Sequence, residues 1–175
     1  MKLKKSIWAA TGIAALLVPL GAYADETGGC QSFAWSVTKE LQWLKSADSE
    51  PVASGSTLKE PPAKAIALSL LPMDKVSFPV AATSRLKKTN SDRHGGFVTF
   101  DTIGEPGIYQ VSLPMAGWVD VIQDGKAIKS AAHTGKMDCD GVRKSVRFNI
   151  GPGPVTIEIS GIPKDTVKFA IRRGE

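Results

Sequence analysis

The side chains that could carry out chemistry are few, and their spacing limits what they can do. There are two histidines, His94 and His133, and two cysteines, Cys30 and Cys139. A non-haem iron centre needs two histidines and a carboxylate converging on an open coordination sphere. Both histidines would therefore be required, with an acid such as Asp138 or Asp140 beside them. No H-x-H or H-x-D spacing puts two ligands on one strand, and the histidines read as members of separate loops. His133 sits in A-H-T-G-K-M-D-C-D-G, a segment read as too polar to be a strand. Asp138, Asp140 and Gly141 form D-x-D-G, a fragment of a calcium-loop pattern. The acid that should close a loop of about 12 residues is missing: position 149 is asparagine, and the next glutamate is Glu158. His94, His133, Asp138 and Asp140 are thus the candidate metal ligands of a secondary reading, a metal-dependent enzyme.

Nucleophilic catalysis finds less. There is no G-x-S-x-G, and no Cys–His pair survives if the cysteines are joined. Asp120 and Glu158 read as single acids on strands, so no glycosidase-type carboxylate pair is identified. Trp118 and Asp120 are two positions apart and would project from one side of a strand. An aromatic face with a carboxylate beside it is how many sugar-binding modules hold a ring. The competing reading packs Trp118 between sheets, because tryptophan is highly buried on average. Trp118, Asp120 and His133 are therefore candidate ligand-binding residues. No catalytic residue and no cofactor is assigned.

The elements that must position these residues follow from alternation. Tyr109, Val111 and Leu113 alternate with Gln110 and Ser112; after a break at 114–117, Val119 and Val121 alternate with Asp120 and Ile122. Asp124-Gly125 then separates that run from K-A-I-K, a strong hairpin signal because both turn residues accept positive φ. The stretch reads as an antiparallel meander. Residues 142–150, 155–160 and 167–172 repeat the pattern three times, each with an apolar and a polar side, as in a sheet with one wet face. Arg143, Arg147, Lys168 and Arg172 would form a basic, solvated face there. Upstream, residues 66–70, 76–80 and 97–101 are predicted strands, and 85–96 a polar loop. Residues 31–45 are predicted as the one helix, with Phe33, Val37, Leu41 and Leu44 on one face, Trp43 on its flank and Trp35 opposite. Residues 46–62, rich in Ser, Pro, Gly and Glu, read as a linker. Eight or nine short strands with frequent turn signals predict an all-β fold, a jelly-roll-like antiparallel sandwich with one N-terminal helix.

The N-terminus has a separate logic. Lys2, Lys4 and Lys5 precede a nearly unbroken apolar run and then Ala22-Tyr23-Ala24. Basic, apolar, A-x-A is the pattern of a secretory signal peptide, and the run is short of the roughly 20 residues that span a bilayer. The expected organisation is a signal peptide over 1–24, a helix and linker over 25–62, and a sandwich over 63–175. A periplasmic or secreted location follows, with no transmembrane segment after cleavage. The formal net charge of +5 includes the three leader lysines, so the mature excess is small. No basic stripe with interleaved aromatics remains, and nucleic acid is not an expected partner. In an oxidising compartment Cys30 and Cys139 should pair. The bridge would close a loop of about 110 residues, worth about 4.7 kcal/mol by chain entropy.

G-I-Y-Q-V-S-L, W-V-D-V-I-Q-D-G-K, G-P-G-P-V-T-I-E-I-S-G and V-K-F-A-I together resemble the bacterial pre-peptidase C-terminal domain, a jelly-roll-like sandwich appended to secreted enzymes. From about Gly95 to Arg172 the chain is also similar to a set of small, stand-alone exported proteobacterial proteins without an established activity. W-V-D-V-I-Q-D-G-K, A-H-T-G, C-D-G-V-R-K and an expected final hairpin carry that likeness. Members of the set often bear an automatic homogentisate dioxygenase name. The likeness covers about half the chain, and its motifs are those of strands and turns, so it speaks to fold rather than chemistry. The expected function is a non-catalytic binding or accessory module whose ligand is a glycan, a protein partner or a lipid surface of the cell envelope. A purely structural envelope protein is the third reading.

Overall fold

The computed structural model describes residues 28–83 and 92–175. The expected signal peptide lies outside the described residues, as does part of the expected 85–96 loop. A 3-10 turn, Gly29–Ser32, leads to one helix, α1 (Thr38–Lys45). The strands are β1 (Ser49–Ala53), β2 (Ser56–Leu58), β3 (Ala65–Ser69), β4 (Leu71–Pro72), β5 (His94–Phe100) and β6 (Gly107–Leu113). They continue as β7 (Trp118–Gln123), β8 (Lys126–Ile128), β9 (Ala132–Gly135), β10 (Lys144–Ile150), β11 (Val155–Ile162) and β12 (Thr166–Arg173).

Two sheets face each other. The first has the order β1-β3-β12-β6-β10-β9; the second has β2-β5-β11-β7-β8, with β4 also on β5. Apolar residues from both inner faces meet in one core that includes Phe100, Val111, Leu113, Val121, Phe148, Ile157 and Phe169. The sandwich with one N-terminal helix is as expected. Its sheets are mixed rather than antiparallel, because β1 pairs with β3 and β2 with β5 in parallel. Both parallel strands lie in the stretch expected to be a linker. They are sheet edges, where Pro51 breaks no ladder and only one side of the strand needs a partner. Such strands need not alternate, so their pattern is weak.

The expected meander is only half present. Asp124 (φ 53°) and Gly125 (φ 70°) make the β7–β8 hairpin, as the dipeptide predicts. However, β6 and β7 belong to opposite sheets, and so do β10 and β11, and β11 and β12. At residues 114–117 and again at 151–154 and 163–165 the chain crosses from one layer to the other. Alternation reports which side of a strand is buried, not which strand lies beside it.

The expected wet faces are covered. Gln110, Ser112 and Ser145 on the outer side of the first sheet are fully buried beneath α1 and the segment before it. Buried Glu40 of α1 accepts from Arg172 Nε at 2.9 Å and from Gln110 Nε2. Arg147 stacks on the Trp35 ring at 4.3 Å and donates twice to Gln110 Oε1. Lys168 donates to the Ser46 carbonyl. Three of the four residues expected on a solvated basic face are thus tied down. A second apolar cluster, with Phe33, Val37, Leu44, Ala65, Val142 and Ala170, seals this layer.

The helix begins seven residues later than predicted, because Phe33 is extended (φ −66°, ψ 148°). Phe33, Val37 and Leu44 are still buried. An extended lead delivers the same apolar side chains to the same cluster, so spacing alone could not tell the two apart. The Cys30–Cys139 disulfide anchors the lead, its ends 109 positions apart in the sequence. Asp138 secures it further by accepting from Gly28 and Gly29 N–H at 2.7 and 2.9 Å.

Residues 76–80, predicted as a strand, form none. They belong to a strap that runs across the outer face of the second sheet. Phe97, Glu158 and Asp120 are cross-strand neighbours on β5, β11 and β7. Phe78 tilts against Phe97 with ring centroids 6.4 Å apart. Val80 N–H donates to Glu158, and Thr83 N–H to Asp120.

Candidate functional site

The two sheets part along one side, where β8 and β9 are the edge strands. Between them opens a cleft of about 390 Å³. Its floor is Val119, Ala127, Ile128, Val146 and Phe148, from β7, β8 and β10. Its rim carries Trp118, Asp120, Lys129, His133, Lys144 and Thr83. The volume lies in the range typical of small-ligand pockets, which are mostly apolar with a few placed polar groups. Trp118, Asp120 and His133, three residues singled out by type and spacing, all line it. His133 is on a strand rather than the expected loop: Thr134 and its neighbours pair with β10, which supplies the ladder that the polar sequence did not suggest.

The rim is organised around Asp120. Trp118 is 43 % exposed, at the start of β7, rather than packed between the sheets. Its indole N–H lies 3.1 Å from Asp120 Oδ1 and 2.9 Å from Thr83 Oγ1, and is shared between them. Thr83 N–H donates to Asp120 Oδ2 at 2.9 Å, and its hydroxyl donates to Oδ1. The Asp120 carboxylate is thus held by the strap and the indole together. Across the cleft mouth, Lys144 Nζ lies 5.5 Å from the Trp118 ring centroid and donates to the Gly117 carbonyl at 2.9 Å. Burial pushes the Lys144 ammonium below the usual lysine range, and Arg143 adds to this, while nearby Asp120 opposes it.

Glu158 stands directly opposite Asp120 on the next strand. It is 1 % exposed. Oε1 accepts from Val80 N–H at 3.2 Å, and Oε2 has no partner. Desolvation raises its pKa to about 7; the Val80 hydrogen bond opposes the rise and the Asp120 charge adds to it. A raised acid beside a second carboxylate has the make-up of an acid–base couple. Its access is wrong for one. The strap covers Glu158, and both Asp120 oxygens are engaged, so the pair holds the strap rather than a substrate.

The candidate metal ligands are not gathered. His94 is on β5, paired with Ile162 and Pro72, and not on a loop. His133 is on β9, at the edge of the opposite sheet. Asp138 clips the N-terminal lead, and Asp140 pairs with Lys45 at 2.8 Å. Both acids are held below the usual carboxylate range: Asp138 by the Gly28 and Gly29 N–H groups, Asp140 by the Lys45 hydrogen bond. Among the described residues no three His, Cys, Asp or Glu side chains are grouped to hold an ion. Both cysteines are in the disulfide, which leaves no thiol nucleophile.

Thr83 and Lys129 of the rim carried no signal of their own. Lys144 falls on the apolar side of β10, in step with Val146 and Phe148, and a lysine in that phase is the one feature that pointed inward. Glu158 and Asp120 each occupy the polar side of a strand, but their opposition depends on register. No protein-family model matches the chain, and no curated protein matches it.

Proposed function

We propose that this chain is a non-catalytic binding module of the cell envelope, exported by residues 1–24, that takes a small ligand into the cleft between β8 and β9. The observation that carries the reading is the cleft itself: an apolar floor between two parted sheet edges, with an exposed tryptophan and fixed polar groups at its mouth. The export pattern, the disulfide and the likeness to sandwich domains appended to secreted enzymes support the location and the accessory role. The dispersal of His94, His133, Asp138 and Asp140 favours binding over a metal-dependent reaction.

The test uses the oxidised mature chain beginning at Asp25, with methyl NMR signals of Val119, Ile128 and Val146 as reporters of the cleft. Fatty acids, oligosaccharides and short peptides are titrated in turn. One class should move these signals saturably, and Trp118→Ala should weaken its binding while the circular dichroism spectrum is retained. Ligand-induced shifts confined to residues outside the cleft would refute the site. Turnover of a substrate that is lost in His133→Ala would refute the non-catalytic role.

A further inference from the structure

The make-up of the cleft narrows the ligand class, on the assumption that the cleft is the binding site. We infer that it takes an amphiphile with an apolar tail and an anionic head, the head held by Lys144 and Lys129. The floor offers only carbon to an occupant: Val119, Ala127, Ile128, Val146 and Phe148. A sugar ring seated there would leave the hydroxyls that face this floor unpaired, which weakens binding. An alkyl chain would leave nothing unpaired.

The rim supplies the sign of the charge. Lys129 and Lys144 both line the mouth, and among the described residues neither is in a salt bridge. Asp120 is the one acid in the lining, and its two oxygens already accept from Thr83 and Trp118. His133 adds a further donor on the β9 side. An incoming carboxylate or phosphate therefore meets two ammonium groups outside any salt bridge, Lys144 giving one of its three N–H bonds to the Gly117 carbonyl, while the one carboxylate near them already accepts from the strap and the indole. Lys144 is half-buried and held beside an aromatic face, where an anion would restore part of the solvation that burial removes. A cationic amphiphile would meet the opposite balance.

Three ten-carbon probes separate the possibilities: decanoate, decanol and decyltrimethylammonium, each below its micellar concentration, with the cleft methyl signals and calorimetry as readouts. Decanoate should bind most tightly. Lys129→Ala, on an exposed side chain that holds no part of the fold, should weaken decanoate about tenfold and leave decanol unchanged, as expected for one charge-assisted contact. Lys144→Met should act in the same direction, and a decyl phosphate titration would show whether the head is read as a carboxylate or as any anion. Equal or tighter binding of the cationic probe, or decanoate binding insensitive to both lysines, overturns the inference. If an oligosaccharide or peptide instead moves the cleft methyls, the ligand class is wrong and the binding module stands. If no probe of any kind moves them, both fail together.

Discussion

Glu158 is the residue whose chemistry the fold changes most. A carboxyl ionising at its ordinary value near 4.5 in the unfolded chain is held at about 7 in the folded one. Between those values the native state binds more protons than the unfolded state, so stability falls as pH rises. Its full contribution is present below the unfolded value and is lost as pH passes through the folded one. The span corresponds to a loss on the order of 3 kcal/mol. Urea unfolding of the mature chain from pH 5 to pH 8 should show this decline, and Glu158→Gln, which keeps the acceptor for Val80 N–H, should flatten it. An equally steep decline in the variant would move the effect to another group. Glu158 is visible in the sequence as an acid on the polar side of a strand. That it faces a second carboxylate, with one oxygen unpartnered, comes from the strand pairing.

At the scale of elements, the strap decides what the second sheet presents. Its seat depends on Gly95, which is buried where Phe78 crosses β5. A Cβ at position 95 would sit 2.8 Å from Phe78 Cζ, 2.9 Å from Met73 Sδ and 3.1 Å from the Ile159 carbonyl. Gly95→Ala should therefore cost about 1–3 kcal/mol through overpacking, and should speed hydrogen exchange at Val80 and Thr83 more than in the core strands. Adding Phe78→Ala should cost less than the sum of the two single changes, because it frees the space that the new methyl needs. Additive losses would show that Phe78 does not press on this glycine. The strap reads as a strand in the sequence because Val76, Phe78 and Val80 alternate. The alternation is real in burial terms: Val76 is buried, and Phe78 and Val80 are half-buried. A segment laid across a sheet can bury every second side chain without pairing along it.

At the scale of the molecule, the disulfide joins the lead before the helix to the loop before β10, so that α1 and β1 to β9 lie between its ends and β10 to β12 follow outside the loop. Reduction, or the double change Cys30→Ser and Cys139→Ser, should lower stability by about 2–5 kcal/mol. The loss should be seen as a shift of the denaturation midpoint with little change in the sandwich core. If the midpoint does not move, the second apolar cluster alone holds the lead in place. The helix layer makes that cluster matter beyond stability. Buried Glu40 and Gln110, with half-buried Arg172 and Arg147, form a polar row that pins the helix on the first sheet. The cleft side, with β8 and β9 at its edges, is left open by comparison.

The sequence alone was enough to establish an all-β chain, one N-terminal helix though not where it begins, the Asp124-Gly125 hairpin and the pairing of its two cysteines. Each of these depends on local pattern: which side of a strand is oily, which dipeptide accepts positive φ, and how many thiols there are to join. The tertiary structure decided everything that depends on which segments lie side by side. It sent consecutive strands to opposite layers, turned an apparent linker into two parallel edges, and put Glu158 against Asp120. It also brought Trp118, Lys129, His133 and Lys144 to one opening. Hydrophobic burial is indifferent to the identity of a partner, so alternation tells a strand which way to face and leaves its neighbours to be settled by the packing of the whole chain.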